Sequence, residues 1–507
     1  MSKKENLDGL EYDVVIIGLG TTGAVLANLL GMRGLKTLVL EREGAAYNLP
    51  RAVGFDDEVM RIFQTIGLSS EILEATQPHA GVKFVDKDGK QILLWPRPDG
   101  ITKHGWRAAY RFHQPQLEGL LRQGMERFAS VETRFRCDVF AIDDGEDAAT
   151  VRYEDLNTGR LHQIRTKFIV GCDGARSLTR RFIGSSLDDL QLHERWLIVD
   201  VILNEPKPEL GDYTVQFCNA DRPATYIRGL GDRRRWEISL RPDEQPNDMM
   251  RHEAVWSLLS PWLKPDEAEV ERVTAYMFHS AVAQTWRKGR LLLAGDAAHQ
   301  TPPFMAQGMC AGVRDAFNLA WKLDWIVNGK APIDLLDTFE SERILNVREY
   351  ITAAVRLGGL VSMKDPEEVF KLANRDEKSG PVISAISPRL GPGLFAADDE
   401  LAGQPIPQPR LADGRLLDDH IGYNFSLLVN GSFCNSLNLK NENLADFPVT
   451  VIEDSQSPEL QKWLEEVGAK AVLVRPDRYV FGTASTAAEL QSLVSTALNS
   501  CQARRAA

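Results

Sequence analysis

The sequence lacks closely spaced cysteines. Its six cysteines are scattered through 507 residues, and no two of them form a CxxC pair. Both a disulfide framework and a zinc site would need cysteines at short, regular spacings. The sequence therefore indicates neither kind of site, and a dithiol redox role for Cys434 has no support.

The chain also has little basic sequence. Its formal net charge is −12, and the triplet Arg233–Arg235 follows Gly231 and Asp232, a pair typical of a turn. Nucleic-acid-binding proteins usually carry a basic patch that neutralises phosphates. We therefore expect no nucleic-acid partner, and we interpret the triplet as an exposed turn.

A long hydrophobic run is absent as well. Residues 14–32 carry no charge, but four glycines and two threonines interrupt them. A membrane span needs about 20 predominantly apolar residues. The first residues include no apolar segment of the signal-peptide kind. We expect no membrane partner and a cytoplasmic protein.

What is present is a strand, a glycine turn and a helix. The apolar run Val14–Ile17 predicts a buried strand, and the turn that follows places glycines at Gly18, Gly20 and Gly23. In a dinucleotide-binding turn these glycines make the tight turn, admit the pyrophosphate and let the helix pack closely. A second predicted strand ends at Glu41, where an acid can bind a ribose. The combination favours dinucleotide binding over an incidental glycine turn.

Two later buried strands end in acidic turns. One leads into Asp173, and the other leads into Gly295 and Asp296. A carboxylate at such a position can contact a cofactor, but Asp173 can equally cap a helix. Beyond Asp296, a loop with Pro302 precedes a long helix. The N–H groups of that helix could face a planar, electron-accepting ring.

Taken in order, these motifs resemble a known superfamily. The runs Gly18–Gly23, Asp173–Gly174 and Gly295–Asp296 resemble the FAD-dependent aromatic hydroxylases of the para-hydroxybenzoate hydroxylase superfamily. Finer runs, including Trp196–Asp200 and Arg235–Glu237, are similar to the 3-(3-hydroxyphenyl)propionate hydroxylase branch. The resemblance covers about residues 10 to 360.

The resemblance implies an enzyme. It would be an FAD-dependent monooxygenase that uses NADH or NADPH and O₂ to hydroxylate a small phenolic substrate, such as a 3-hydroxyphenyl-propanoate-like acid, through a flavin hydroperoxide. Three alternatives remain: a hydroxylase of a bulkier polycyclic substrate, a flavin halogenase, and a non-catalytic FAD-binding redox sensor. The WxWxIP signature of halogenases is absent from the sequence.

The resemblance also implies an α/β fold with several domains. A Rossmann-like FAD-binding domain would comprise residues 1–80, 107–185 and 285–375. An inserted antiparallel-sheet substrate domain would comprise residues 81–106 and 186–284. A connector, 376–409, would lead to a C-terminal thioredoxin-like domain, 410–507. This last domain would pack against the flavin domain or a partner subunit, so a homodimer is one expected assembly.

Residue by residue, the resemblance implies the following FAD contacts: Gly18, Gly20, Gly23, Glu41, Arg42, Arg51, Arg111, Gln114, Asp173, Gly295, Asp296, Gly308 and Met309. Pro302 would border the isoalloxazine ring. A base or proton relay would assist a phenol, and the catalytic candidates besides Pro302 are His279, Tyr226 and Gln216. A single histidine without a visible partner is more often structural. Ala306 stands where the family usually has glycine, so a differently shaped loop is expected if that position needs positive φ.

Overall fold

The computed structural model describes residues 11–45, 51–363, 374–376, 380–383, 385–396, 398–437 and 449–502. The first ten residues and parts of the predicted connector (377–379, 384 and 397) therefore lie outside the described residues. Within the described ranges, no helix combines the length and the apolar character that crossing a membrane would need.

Runs of strands separated by helices make up most of the chain. The strands are β1 (Tyr12–Ile17), β2 (Thr37–Glu41), β3 (Gly54–Asp56), β4 (Thr76–Pro78), β5 (Gly81–Val85), β6 (Gln91–Pro96), β7 (Ala109–Phe112), β8 (Val131–Phe135), β9 (Cys137–Asp144), β10 (Ala149–Asp155), β11 (Arg160–Gly171), β12 (Leu187–Leu203), β13 (Thr214–Phe217), β14 (Ala224–Arg228), β15 (Arg233–Ser239), β16 (Ala268–Ala283), β17 (Arg287–Lys288), β18 (Leu291–Leu293), β19 (His299–Gln300), β20 (Asn374–Asp376), β21 (Gly380–Val382), β22 (Phe425–Val429), β23 (Val449–Glu453), β24 (Ala471–Val474) and β25 (Val480–Ala484). The α-helices are α1 (Thr21–Met32), α2 (Asp57–Thr65), α3 (Ser69–Glu74), α4 (Gln114–Met125), α5 (Leu178–Ile183), α6 (Pro246–Met249), α7 (His252–Leu259), α8 (Gln307–Val327), α9 (Asp337–Val361), α10 (Leu417–Ile421), α11 (Gly431–Leu437), α12 (Pro458–Glu466) and α13 (Ala487–Gln502).

The first sheet is built around parallel strands. Its order is β17-β18-β11-β1-β2-β8, with β10 and β9 continuing from β11. Strands β18, β11, β1, β2 and β8 run parallel to one another. Helix α1 packs against α4 and α8 beside this sheet, and β1 is almost wholly buried. A parallel sheet is normally covered by helices, which explains why its strands read as continuous apolar runs.

The turn after β1 depends on glycine for local reasons. Gly18 has φ +98°, and a Cβ there would lie 2.5 Å from the carbonyl oxygen of Cys172. A Cβ on Gly23 would collide with the carbonyl oxygen of Gly18. The absence of a side chain at Gly18 and Gly23 lets β1, β11 and α1 approach closely. The first and third glycines therefore serve the packing of the protein's own backbone.

The second sheet is mainly antiparallel. Its order is β19-β16-β12-β15-β14-β13-β5-β6-β21-β20, in which β13 pairs with β5, and β21 with β6, in parallel. It includes the antiparallel hairpin of strands β5 and β6. The interpretation of Arg233–Arg235 as an exposed turn is wrong. These residues begin β15, and Arg235 is buried. Its Nε donates a 2.6 Å hydrogen bond to Asp200 Oδ1, which makes the burial of the charge tolerable.

The C-terminal part has its own mixed sheet, in the order β23-β22-β24-β25. Strand β22 runs parallel to β23 and antiparallel to β24. Its apolar side continues into the main core, where Phe425 packs against Trp321 and Trp325. Buried ion pairs, including Arg61 with Asp418 at 2.6 Å, join it to α2. The unit is therefore packed firmly onto the first part of the chain.

Candidate functional site

A long cleft, here called the cofactor cleft, opens at the carboxyl ends of the parallel strands. Its volume is about 1060 Å³. Predicted site residues that line it are Gly20, Arg51, Gln114, Asp296, Gly308 and Met309. In open α/β sheets this edge, at a switch in strand order, is the usual place for a ligand.

The floor of the cofactor cleft has room for phosphate groups. A Cβ built on Gly20 would meet no atom within 4 Å, unlike one on Gly18 or Gly23. Gly20 directly precedes α1, whose first amides include those of Thr21 and Thr22. A helix N-terminus with open space beside it attracts anions through its N–H groups and dipole. The residues therefore fit the pyrophosphate of a dinucleotide.

Two predicted contact residues fix the loops around the cleft. Gln114 Oε1 accepts hydrogen bonds of 2.8 Å from the N–H groups of both Arg51 and Ala52. Glu41 Oε2 accepts a 2.7 Å bond from the N–H of Leu19, inside the glycine turn. Both side chains hold backbone in place, and Gln114 also faces the cleft.

Asp296 differs from these two residues. It is exposed on the wall of the cofactor cleft, and it forms no hydrogen bond or ion pair with any residue that the structure describes. Its neighbour Gly295 is buried, with its N–H donated to Asp315 Oδ2 at 3.0 Å. The turn is therefore anchored through Gly295, and the Asp296 carboxylate is left for a ligand.

Two other predicted FAD contacts are engaged elsewhere. Asp173 accepts hydrogen bonds from the Ser177 hydroxyl at 2.5 Å and from the Thr179 N–H at 3.0 Å. This is the helix-capping alternative, and Asp173 is absent from the cleft lining. Arg42 is exposed and forms a 3.2 Å ion pair with Glu43. The positions of Asp173 and Arg42 do not support direct contact with a cofactor.

The loop before α8 has a residue in the left-handed conformation that is not a glycine. Ala306 has φ +56° and ψ +29° and directly precedes the helix. The expectation of a differently shaped loop is therefore wrong, because alanine accepts the conformation at a cost of roughly 1–2 kcal/mol. Pro302 is buried, and its neighbour Pro303 lines the cleft instead. The first amides of α8, including that of Gly308, lie beside this wall.

A second, inner cavity lies between the cofactor cleft and the second sheet. Its volume is about 680 Å³, and most of its wall is apolar, including Phe55, Trp95 and Phe304. Residues shared with the cofactor cleft are Val53, Ile227, Glu237, Pro303 and Ala306. A small aromatic ring in the inner cavity would therefore adjoin a ligand in the cleft.

Polar groups enter the inner cavity from several strands. Gln216, one of the predicted catalytic residues, lines it and accepts a 2.6 Å hydrogen bond from the Thr225 hydroxyl. His79 Nδ1 accepts from the Gly81 N–H at 3.0 Å, and Nε2 lies 3.1 Å from the Thr214 hydroxyl. Burial, then the nearby Arg97 and Arg111, lower the pKa of His79 to about 3. His79 is therefore a neutral hydrogen-bonding group here.

Glu237 is the carboxyl group at the junction of the two spaces. Its closest cation is Arg235, with Nη1 at 3.7 Å from Oε1. The guanidinium of Arg235 is already held by Asp200. Burial raises the pKa of Glu237, and the negative charge of Asp200 adds to this effect. The site thus offers a buried carboxyl that holds its proton more tightly than an exposed glutamate does.

Two predicted catalytic residues lie away from both spaces. Tyr226 faces the opposite side of β14, where its ring packs on Trp236, because alternate residues of a strand face opposite sides. His279 Nδ1 lies 3.0 Å from Nδ1 of His193. Neither Tyr226 nor His279 lines the cofactor cleft or the inner cavity. Their positions do not support a catalytic role.

Sequence reasoning missed His79, Arg97 and Glu237 as cavity residues. Each belongs to a different segment, and only the folded sheet brings the three together. For Glu237 the sequence held one signal: an acidic residue directly follows a tryptophan in the segment that forms β15. In β15, Arg235 and Glu237 share one face while Trp236 packs into the core on the other.

Comparison with known proteins agrees with this geometry. Residues 11–354 match a family model described as FAD binding domain, and residues 433–500 match one described as HcaD C-terminal domain. A probable NADH-specific resorcinol 4-hydroxylase of Rhodococcus jostii is 35% identical, with 95% of this chain and 93% of the relative covered. A 3-(3-hydroxy-phenyl)propionate/3-hydroxycinnamic acid hydroxylase of a Mycobacterium species is 32% identical, covering 98% and 93%.

Solved structures share the fold. The flavin-dependent monooxygenase PieE, in complex with FAD and substrate, aligns with a TM-score of 0.81 at 22% identity, covering 96% of this chain and 99% of that one. Aklavinone-11 hydroxylase with FAD and aklavinone gives 0.80 at 20% identity, covering 97% and 100%. At these identities the likeness concerns the fold alone, whereas the family match and the curated relatives settle the family. The chain belongs to the FAD-dependent aromatic hydroxylases.

Proposed function

We propose that this protein is a monooxygenase that hydroxylates a small phenolic substrate. The overall reaction consumes the phenol, O₂, NADH or NADPH and a proton, and it yields the dihydroxy product, the oxidised nucleotide and water. The observation that carries the proposal is the inner cavity, which has a mostly apolar wall with aromatic side chains and adjoins the cofactor cleft. The curated relatives are named as hydroxylases of single-ring phenols. A halogenase and a non-catalytic sensor therefore have no comparable support.

The protein would hold FAD through the cofactor cleft. Gly20 and the start of α1 would take the pyrophosphate, Glu41 the ribose, and Asp296 the ribityl or phosphate end. When bound, FAD supplies hydride acceptance from the nicotinamide and transfer of one oxygen atom from O₂. The amides of Gly308 and Met309, at the positive end of α8, would stabilise negative charge on the ring.

The inner cavity would position the phenol and manage its proton. Glu237 can accept a hydrogen bond or a proton when its carboxyl is ionised and can donate when it is protonated, and Gln216 can orient the hydroxyl of the substrate. A hydroxyl that loses its proton makes the ring more electron-rich, so a group that holds or accepts this proton assists the reaction. Trp95 and Phe304 would exclude water, which protects the reactive oxygen from wasteful release.

The finer architecture is also part of this proposal. Residues 1–80, 107–185 and 285–375 would form the FAD-binding domain, and residues 81–106 and 186–284 the substrate domain. The segment 410–507 would be the thioredoxin-like domain. Its mixed sheet of β22–β25, on which α12 and α13 pack, supports this assignment. Dimerisation through this domain would be tested by the mass of the purified protein in solution.

The test is stoichiometry. Purified, FAD-loaded protein should oxidise NADH or NADPH faster when resorcinol or 3-(3-hydroxyphenyl)propanoate is added, with about one molecule of product, carrying one more ring hydroxyl than the substrate, formed per nucleotide. Glu237→Gln should keep FAD and fold but form less product per nucleotide, because the amide cannot exchange the proton. Its pH profile should lose one titration that the wild type shows. Absence of phenol-stimulated oxidation with every phenol tested would refute the proposed function.

A further inference from the structure

A third space adjoins the inner cavity on the side away from the cofactor cleft. We call it the arginine cleft, because Arg97, Arg107, Arg111 and Arg228 line it, together with the acidic residues Asp99 and Asp212. Its volume is about 860 Å³. Four arginines against two aspartates make it locally positive, in a chain whose net charge is −12.

The arginine cleft and the inner cavity are connected. His79, Arg97 and Ala109 belong to the walls of both. Arg97 therefore stands at the boundary, with its guanidinium 4.1 Å from the centre of the Trp95 ring. A ligand whose ring fills the inner cavity could reach the arginines with an extended group.

Arg97 is unusual because its charge is not matched by the protein. It forms no ion pair with any described residue, and its Nε is buried without a hydrogen-bond acceptor. Burial lowers its pKa, although Asp56 and Asp57 oppose this effect from a distance. A buried guanidinium without a paired anion is costly, and arginine suits carboxylate and phosphate groups through its two-pronged geometry.

Arg111 was expected to contact FAD, but it lies in the arginine cleft instead. Its Nε and Nη2 donate to the carbonyl oxygen of Pro78 at 3.1 and 2.8 Å. No carboxylate among the described residues pairs with Arg111. Its pKa is lowered to about 10, mainly by burial and secondly by the nearby positive charge of Arg228. The carbonyl bond fixes the guanidinium while leaving its charge unneutralised.

The remaining groups do not cancel this charge. Arg228 pairs with Asp212, yet its Nε is buried without an acceptor. Arg107 lies 3.9 Å from the exposed Asp99 at the rim. His79 stays neutral for the reason given above. Two cations, Arg97 and Arg111, therefore face the cleft without a protein anion.

We propose that the arginine cleft binds the anionic group of a ligand, a carboxylate or a phosphate, with Arg97 and Arg111 as its main contacts. The anion has two sources in the reaction: an acidic side chain on the phenolic substrate, or the pyrophosphate of the nicotinamide nucleotide. The proposal rests on the proposed function only in taking the inner cavity as the place of the phenol ring.

Binding measured without turnover tests this site. FAD-loaded wild-type protein, Arg97→Gln, Arg111→Gln and Arg97→Lys would be titrated with 3-(3-hydroxyphenyl)propanoate and with its uncharged primary amide, using the flavin absorbance change. The affinity for NADH would come from the concentration dependence of anaerobic flavin reduction. Arg152→Gln is the matched control, since Arg152 is an exposed arginine of the other sheet, paired with Asp143.

If the substrate supplies the anion, the acid should bind at least tenfold more tightly than the amide in the wild type, and both glutamine variants should abolish that preference. Arg97→Lys should keep part of it. If the nucleotide supplies the anion, the glutamine variants should weaken NADH binding at least tenfold and leave both phenols unaffected. Either preference should fall with added salt.

Changes below twofold for the acid and for NADH in both glutamine variants, with FAD content and melting temperature equal to those of Arg152→Gln, would overturn the proposal. This result is distinct from failure of the proposed function. Resorcinol hydroxylation could persist while the arginine cleft binds nothing, and anion binding could persist in a protein that hydroxylates no phenol.

Discussion

Two regions of the molecule differ in whether their charged side chains are paired within the protein. Where the C-terminal unit meets the rest, Glu342 accepts hydrogen bonds of 2.8 Å from Lys322, Asn318 and Arg475. Around the cofactor cleft and the inner cavity, by contrast, the exposed Asp296 and the half-buried Arg97 have no ion-pair partner among the described residues. A buried charge with partners stabilises one structure, whereas a charge without them costs free energy until a ligand arrives. The contrast separates residues that build the fold from residues kept for chemistry.

The largest effect should come from breaking the paired region. Glu342→Gln would leave Arg475 and Lys322 buried without their shared anion, which costs about 3–5 kcal/mol of unfolding free energy. The matched control is Glu466→Gln, because the exposed pair of Glu466 and Lys462, at 3.6 Å, should be worth about 0.5 kcal/mol or less. Urea unfolding of both variants measures the difference. Equal stabilities would mean that the buried cluster carries no special weight.

The same cluster sets an acid limit. Burial alone would raise the pKa of Glu342, but Arg475 and Lys322 outweigh it and lower the value from 4.5 to about 2. A carboxyl whose pKa is lower in the folded state stabilises the fold fully above its unfolded value. That contribution is lost as the pH falls from about 4.5 towards 2. The wild type should therefore lose stability in this range more steeply than Glu342→Gln.

The next effect should come from the unpaired region. Asp296→Ala should weaken FAD binding at least tenfold and abolish activity, because a hydrogen bond to a charged group is worth about 1.5–3 kcal/mol. The stability of the FAD-free protein should change by less than about 0.5 kcal/mol, since the carboxylate has no contact to lose. Unchanged FAD affinity in the purified variant would contradict this assignment.

These two regions also mark what the sequence could predict. The run from Tyr12 to Glu41 specifies its strands, turn and helix locally, through apolar runs and glycines, and the structure matches it closely. Arg235 could not be placed, because its partner Asp200 lies on another strand. An arginine triplet is normally exposed, and only strand pairing reveals the carboxylate that makes burial tolerable.

The site was predictable to the same extent. Residues at the ends of buried strands, such as Gly20 and Asp296, could be placed at the cleft, because ligands of open α/β sheets bind outside the carboxyl ends of the strands. His79, Arg97 and Glu237 were missed because the second sheet assembles them from distant segments. Arg111 was expected beside FAD, whereas its side chain lines the arginine cleft, since sequence alone does not reveal which side of β7 a guanidinium takes.

A smaller effect should come from Ala306, which stores strain beside the cofactor cleft. Ala306→Gly should relieve a left-handed conformation that costs roughly 1–2 kcal/mol. Glycine also makes the unfolded chain more flexible, which lowers the stability by about 0.5–1 kcal/mol and offsets part of this gain. We expect a net gain of about 1 kcal/mol or less. Ala353→Gly, inside helix α9, should instead lose about 1 kcal/mol. Melting temperatures of both variants check the opposite signs.

The smallest effect is expected at Cys434, because the proposed thioredoxin-like domain invites a redox role for it. A dithiol centre needs a second thiol to resolve the mixed disulfide. The other cysteine of the C-terminal segment, Cys501, forms no CxxC motif with it. The contribution of this segment instead comes from buried ion pairs such as that of Arg475 with Glu342.

Cys434→Ser should therefore retain wild-type flavin reduction, product yield and melting temperature within about twofold in rate and about 1 kcal/mol in stability, the latter because the side chain is only half-buried. Stopped-flow reduction by NADH and product analysis measure the first two quantities. If reduction or hydroxylation failed in a variant that is folded and loaded with FAD, the thiol would take part in catalysis. The C-terminal unit would then contribute to catalysis as well as to stability. The distinction between paired charges that stabilise the fold and unpaired charges that bind ligands would not be enough to separate the two regions.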